Sequence, residues 1–177
     1  MKIKEYRFLD GSIVTVPDNT CRGCYLEKNT IMLEELNPIW QNKDYIIRQD
    51  AECPVPGFYI ISARKHINTI GDLSQKQSSD LGIILNRLRI SMMNSIDVKR
   101  VHIILEERIY EPHLHIWMLP LWKCIMEKYS IDPKVWNSNI FDYINLFTYE
   151  ENKDRILSFN RVMRESLNND QIMKQLL

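Results

Sequence analysis

Hydrophobic residues in the first third of the chain occur in short runs separated by polar turns, a pattern typical of β-strands. Two such runs lie within residues 6–16 on either side of Asp10-Gly11, a common hairpin turn. Residues 39–40 and 45–47 flank a polar tetrapeptide in the same way, and residues 58–62 follow a proline-rich loop. We therefore expect an N-terminal hairpin followed by the first strands of a sheet.

The pattern changes to a helical spacing after residue 74. Ser74 and Gln77 match a capping box, which marks the start of a helix. Apolar side chains then recur three or four residues apart, at Leu81, Leu85, Leu88 and Met92. This spacing predicts a long helix ending near residue 96, and a β-branched run at residues 101–105 predicts the next strand.

Pro112 and Pro120 bracket a further predicted strand over residues 113–119. Successive side chains of a strand point to opposite faces, so His113, His115 and Trp117 share one face. The other face carries Leu114, Ile116 and Met118. One face is therefore predicted to carry chemistry and the other to join the core.

The last third of the chain has a helical pattern, interrupted at Asp132-Pro133. Its clearest apolar stripe consists of Ile156, Phe159, Met163 and Leu167. We accordingly divide the chain into a hairpin at residues 1–20, a central part at 21–121, and a helical C-terminal extension of the same domain at 122–177.

Length and composition are those of one ordinary domain with an extension: 177 residues, of which 45% are hydrophobic. The 23 basic and 23 acidic residues give a formal net charge of zero, which removes the broad positive field that non-specific nucleic-acid binding requires. Charges interrupt the N-terminal segment, unlike an export signal, and the apolar run at residues 116–122 is far shorter than the roughly 20 residues of a spanning helix. We therefore expect a cytoplasmic protein without a membrane or nucleic-acid partner.

Cys21 and Cys24 form a CxxC pair, with Gly23 suited to a tight turn between them. In a reducing compartment such a pair indicates metal or redox chemistry before it indicates a disulfide. A structural zinc ion takes four ligands, and His66 and His113 lie at predicted strand ends where they could complete the set. The alternative is a metal-free pair with two structural histidines.

The order of these residues resembles the histidine-triad superfamily, specifically its Hint-like branch with a zinc-binding CxxC. The similarity runs from Cys21 to about residue 121. It includes the apolar strand, basic pair and histidine of residues 58–67. It also includes residues 113–120, which are similar to the signature in which histidines alternate with apolar residues.

This resemblance implies an α+β fold with a mostly antiparallel five-stranded sheet and a long helix, commonly paired into a homodimer by joined sheets. It also implies a structural zinc ion. The four ligand positions of the zinc-containing members fall on Cys21, Cys24, His66 and His113.

The resemblance further implies a reaction. His115 stands where the family has the histidine that attacks the α-phosphorus of a nucleotide conjugate and becomes a nucleotidyl-histidine. Asp50 stands where a carboxylate holds the ribose hydroxyls. From the residues alone, a histidine in such a strand is more often structural than catalytic. Asp50 fits a turn or capping residue as well as it fits a ribose contact.

Three departures from the family pattern bear on the substrate. Trp117 replaces the third signature histidine; its indole N–H can donate to a phosphate, or its ring can stack on a base, but it cannot protonate a leaving group. Phe58 stands where many members have a histidine. Residues 106–111, with three glutamates and Arg108, replace a small glycine-rich loop and oppose a polyphosphate ligand.

The resemblance and the departures from it imply two alternative functions. The first is a nucleotide-conjugate hydrolase or nucleotidyltransferase that acts through His115. In this function Asp50 and Trp117 bind the substrate, and Arg64-Lys65 face its phosphate. The second is a nucleotide-binding or interaction module that keeps the fold and the zinc but has lost the chemistry. A zinc-ribbon nucleic-acid module is the weakest reading, because the charge is balanced and the chain has one CxxC.

Overall fold

The computed structural model describes residues 2–29, 32–94, 97–130 and 140–177. The predicted hairpin is present: β1 (Ile3–Arg7) pairs antiparallel with β2 (Ile13–Pro17) as a separate two-stranded sheet. Gly11 has φ 81°, a left-handed conformation that glycine adopts without strain. Tyr6, Phe8 and Val16 bury their side chains in a small apolar cluster of their own.

The main sheet has five antiparallel strands in the order β3-β4-β5-β7-β6. They are β3 (Trp40–Gln41), β4 (Tyr45–Gln49), β5 (Tyr59–Ala63), β6 (Val98–Leu105) and β7 (His115–Trp122). With the helices described below, this confirms the predicted α+β class and the five-stranded antiparallel sheet.

Strand β7 runs through Pro120, which the sequence suggested as its boundary. Beyond Met118, β7 pairs only with β6, so a residue without an N–H is tolerated on the edge that β5 no longer covers. There the Tyr143 hydroxyl donates to the Pro120 carbonyl and accepts from the Trp122 N–H, both at 2.9 Å. A side chain from the C-terminal part thus completes the edge of the sheet.

The long helix α2 (Gln75–Met93) begins with the predicted capping box between Ser74 and Gln77. The buried face of α2 is close to the predicted apolar stripe. It differs in that Ile84, which was not in the predicted stripe, is fully buried, and Leu85 is only partly buried. Helix α1 (Arg22–Lys28) and two short 3-10 helices, Glu34–Leu36 and Ile70–Asp72, lie between the strands.

The C-terminal part contains α3 (Lys123–Lys128), α4 (Ile140–Ile144), α5 (Tyr149–Asn169) and α6 (Gln171–Lys174). All four residues of the predicted stripe on α5 are buried, and three of them belong to the core that also covers the main sheet. Asp132-Pro133 lies outside the described residues. None of the described helices is long and apolar enough to cross a membrane.

Helix α5 packs closely against the loop before β5. Gly57 has φ 75°, and a Cβ added there would lie 2.1 Å from the Phe159 ring. The Phe159 ring also stacks on Tyr59, and the Asn160 side chain joins the Tyr59 hydroxyl to the Glu35 carbonyl. The C-terminal helices therefore hold the loop that enters the strand beside the candidate site.

Candidate functional site

Four side chains that can bind a metal ion meet at one end of the main sheet. Cys21 is the N-cap of α1, and its Sγ accepts from the Cys24 N–H at 3.5 Å. His66 follows β5, and His113 precedes β7. Because β5 and β7 are antiparallel neighbours, the end of one strand and the start of the other lie at the same edge. The fold thus brings together all four residues that the sequence singled out.

Their ligand atoms all lie within 4.8 Å of one another. Cys21 Sγ is 3.2 Å from His113 Nδ1, and Cys24 Sγ is 3.3 Å from His66 Nδ1 and 3.8 Å from His113 Nδ1. Ligand atoms around a tetrahedral zinc ion are separated by about 3.4 to 3.8 Å for S and N donors at ordinary bond lengths. The donor set and its spacing fit a Cys2His2 site.

The His113 ring is held in the tautomer that a metal ligand needs. Its Nε2 lies 2.8 Å from the Ala63 carbonyl oxygen, which can only accept, so Nε2 carries the proton. Nδ1 therefore presents its lone pair to the two thiols. A backbone carbonyl on the far nitrogen is a usual support of a metal-bound histidine.

Burial disfavours the charged forms of the side chains in this cluster. Burial, followed by the adjacent Cys21 thiol, raises the pKa of Cys24. Burial also lowers the pKa of His113, with the neighbouring His66 adding to that effect. Both groups resist their charged forms, and a bound cation would favour the thiolates.

Gly23 is required by close packing rather than by the tight turn that the sequence suggested, since it lies within α1. A Cβ added at Gly23 would lie 2.5 Å from Cδ2 and 2.7 Å from Nδ1 of His113. The absence of a side chain lets the helix approach the histidine ring. This contact joins the CxxC to the sheet.

We expect Gly23→Ala to displace His113 and weaken metal binding by about 10- to 100-fold, as is typical when a ligand is misoriented. Zinc affinity, measured by competition with a chelating dye, checks this. Gly82→Ala on α2 is the matched control, because nothing lies within 4 Å of its added Cβ. A Gly23→Ala protein with unchanged zinc affinity would show that the contact is not needed.

His115 lies next to this cluster, on the cavity side of β7. Its Nδ1 is 2.7 Å from the His113 carbonyl oxygen, so Nδ1 carries a proton, and in the neutral imidazole the lone pair is on Nε2. Within the described part of the chain, no residue hydrogen-bonds to Nε2. His115 is half-buried and lines a cavity of about 490 Å³. A neutral imidazole held in this way is a nucleophile or a base.

The floor of the cavity is formed by alternate residues of three strands. Strand register places Ile46, Ser62 and His115 in one row, and Arg48, Ile60 and Trp117 in the next. The Trp117 ring meets Phe58 edge to face, with centroids 5.5 Å apart. The hairpin contributes Glu5 and Tyr6, and α4 contributes Phe141 and Ile144. Together these side chains make a cavity with an apolar, partly aromatic wall.

Asp50 also lines the cavity, but one of its oxygens is already engaged. Oδ1 accepts from the backbone N–H groups of Glu52 and Cys53, at 2.9 and 2.7 Å. Burial raises the pKa of Asp50 against the lowering effect of these two bonds. The structure therefore supports the interpretation of Asp50 as a turn residue, with a carboxylate that also lines the cavity.

Arg64 and Lys65 do not face the cavity, contrary to the expectation from the sequence. The Arg64 side chain pairs with Glu27 at 2.6 Å and donates to the Asn42 carbonyl, and Lys65 is exposed. Neither lines the cavity. Arg64 directly follows β5, and its N–H donates to the Asp44 carbonyl at 2.8 Å.

The three glutamates of residues 106–111 have different partners. Glu107 accepts from the Ile70 N–H at 2.9 Å, away from the cavity. Glu106 pairs with Arg108 at 3.0 Å, and Glu111 pairs with Lys4 of the hairpin. Arg108 lines the cavity, and Glu106 would compete with a phosphate for its guanidinium group.

The sequence did not identify several residues that line the cavity, notably Glu27, Arg48 and Ser62. The period-2 alternation of β4 and β5 was the available signal, because it places Arg48 and Ser62 on a face opposite buried neighbours. Glu27 lies one helical turn after Cys24 and pairs with Arg64 and Arg48. Only the fold shows that these residues surround His115 and Trp117.

Solved structures that share this fold include histidine-triad proteins. A zinc-bound histidine triad family protein from Mycobacterium smegmatis aligns over 87% of this chain and 92% of that chain, with a TM-score of 0.51 and 13% identity. A Hit-like protein involved in cell-cycle regulation from Bartonella henselae aligns over 73% of this chain and 85% of its own, with a TM-score of 0.51 and 12% identity. No protein-family model and no curated protein matches the chain. The chain therefore has the histidine-triad fold.

Proposed function

We propose that this protein is a nucleotide-conjugate hydrolase or nucleotidyltransferase that acts through a nucleotidyl-His115 intermediate. The observation that carries the proposal is the state of His115. Its Nδ1–H is bound by the His113 carbonyl, and its Nε2 lone pair is uncommitted in a cavity large enough for a small ligand.

The reaction proceeds in two displacements at phosphorus. Nε2 of His115 attacks the α-phosphorus, a P–N bond forms, and the leaving group departs with the electron pair of its bond to phosphorus. Water or another acceptor then attacks the same phosphorus and releases His115. The Asp50 carboxylate accepts hydrogen bonds from the ribose, and the Trp117 indole contacts the nucleotide.

The charges around the cavity favour a monophosphate conjugate over a polyphosphate. Among the described lining residues are six carboxylates and three guanidinium groups, and each guanidinium has a carboxylate beside it. The carboxylates outnumber the guanidinium groups, so additional phosphates would meet an excess of negative charge. The carboxylates are Glu5, Glu27, Asp50, Glu52, Glu106 and Glu111.

We further propose that zinc binds Cys21, Cys24, His66 and His113 and is structural. The ligand geometry supports this, and the histidine-triad neighbour from Mycobacterium smegmatis is zinc-bound. All four ligand positions are protein side chains, so no position is open for a substrate. The ion would attach α1 to the sheet and support His113, whose carbonyl orients His115.

Cellular location and assembly belong to the same proposal. All four cysteines are free, which fits a reducing cytoplasm. The edge strand β6 exposes Ile103 and Leu105, which supports a homodimer formed by joined sheets. Analytical ultracentrifugation tests the dimer.

The second candidate is a nucleotide-binding module without chemistry, and Trp117 is the observation that favours it. A panel of nucleoside monophosphate conjugates separates the two functions. Turnover with release of the nucleoside monophosphate supports the enzyme, whereas saturable binding without turnover supports the module.

Trp117 predicts how the rate depends on the leaving group. Since indole cannot donate a proton, the wild-type rate should rise steeply as the pKa of the leaving group falls. We expect Trp117→His to raise turnover of poor leaving groups by about 10- to 100-fold and to flatten this dependence. Trp117→Phe, which retains an aromatic ring against Phe58, is the control without an acid. Equal slopes in Trp117→His and Trp117→Phe would exclude this role for position 117.

A further inference from the structure

Ser62 lies directly beside His115 in the sheet. The two residues are register partners on β5 and β7. The next pair along, Ala63 and Leu114, is joined by a backbone hydrogen bond of 3.1 Å. Ser62 and His115 therefore form a non-hydrogen-bonded antiparallel pair, in which the Cα atoms are about 4.5 Å apart and the side chains are closest.

The Ser62 hydroxyl faces the cavity and is uncommitted. Ser62 lines the cavity and is half-buried, whereas the preceding residue, Ile61, is buried in the core and does not line the cavity. The hydroxyl makes no hydrogen bond within residues 2–29, 32–94, 97–130 and 140–177. A hydroxyl half-buried beside a nucleophile and left without a partner is available to a ligand.

Neutral donors matter here because each cation that lines the cavity has a carboxylate beside it. Arg22 pairs with Glu52, Arg48 lies 3.7 Å from Glu27, and Arg108 pairs with Glu106. Displacement at phosphorus builds charge on the non-bridging oxygens, and fixed donors aimed at those oxygens stabilise it. In the pairing of β5 with β7, the hydroxyl group that lies directly opposite His115 is that of Ser62.

We propose that the Ser62 hydroxyl donates a hydrogen bond to a non-bridging oxygen of the phosphate that His115 attacks, which makes Ser62 a second catalytic residue. The proposal rests on the proposed function and adds a residue to it. Oγ forms no covalent bond and keeps its proton throughout; it stabilises charge in both displacements.

The test compares Ser62→Ala and Ser62→Thr with wild type, using the nucleoside monophosphate conjugate that wild type turns over fastest. Removing one such donor lowers kcat by about 10²- to 10³-fold in a well-studied protease. We expect Ser62→Ala to lower kcat by about 10- to 100-fold with KM within about twofold, because the bond strengthens in the transition state. Ser62→Thr, which restores a hydroxyl in a strand, should recover most of kcat. Ser79→Ala on the exposed part of α2 is the matched control.

The outcomes separate this inference from the proposed function. Unchanged kcat in Ser62→Ala overturns the role of Ser62 and leaves the enzyme proposal standing. A rise in KM alone, or no recovery in Ser62→Thr, assigns the effect to binding or packing and also overturns it. If wild type turns over no conjugate in the panel, both proposals fall. If Ser62→Ala does not fold, a kcat near wild type in Ser62→Thr supports the role and a low kcat in a folded Ser62→Thr overturns it.

Discussion

Replacing Cys24 with alanine is expected to release the metal ion and lower the melting temperature of the protein by about 8–16 °C. A ligand that binds only the native state, at a free concentration near 1,000 times its Kd, stabilises that state by about 4 kcal/mol. For a chain of this size, 1 kcal/mol corresponds to roughly 2–4 °C. Zinc content by atomic emission and thermal unfolding by circular dichroism check the two parts of this prediction.

Cys124→Ala is the matched control, because Cys124 is exposed and outside the cluster. The control should keep its zinc and its melting temperature. A chelator should destabilise the wild type and leave Cys24→Ala unchanged. Equal zinc content in Cys24→Ala and wild type would contradict the assignment of the ligand.

The same site predicts a pH dependence of zinc binding. Thiols must lose their protons to bind zinc, and burial with the adjacent thiol raises the pKa of Cys24. A raised pKa means that more of the thiol is protonated at any given pH. Zinc affinity should therefore fall as the pH is lowered.

Replacing His115 with alanine is expected to reduce kcat by at least about 10⁴-fold, because no other described cavity residue offers a neutral imidazole free of the metal cluster. The fold should survive, since His115 is half-buried and its ring bonds only to the His113 carbonyl. Steady-state kinetics, zinc content and melting temperature are measured together.

His102→Ala is the matched control, because it removes a histidine that lies on β6 and does not line the cavity. It should keep wild-type turnover. Comparable kcat in His115→Ala and wild type would remove His115 from the mechanism and favour the binding module.

The sequence predicted the residues of the site better than their surroundings. The alternation of β7 placed His115 and Trp117 on one face, and the strand ends placed His66 beside His113. These relations are local, because they depend on strand periodicity and on which strand ends meet at one edge.

Contacts between distant segments could not be predicted in this way. The Glu27–Arg64 pair, 37 residues apart, turns the basic residue away from the cavity. The contact between Gly23 and His113 depends on the angle at which α1 meets the sheet. Tyr143 supports β7 beyond Pro120 from a helix that follows the strand. Such contacts follow from packing geometry and leave no periodic signal.

Mass spectrometry of the quenched reaction tests the proposed intermediate most directly. The wild type is mixed with a nucleoside monophosphate conjugate that it turns over and is denatured within one turnover at alkaline pH, where the P–N bond is preserved. We predict an added mass of one nucleoside monophosphate, mapped to His115 and absent from His115→Ala. Turnover without an adduct at His115, or an adduct that persists in His115→Ala, would contradict this mechanism.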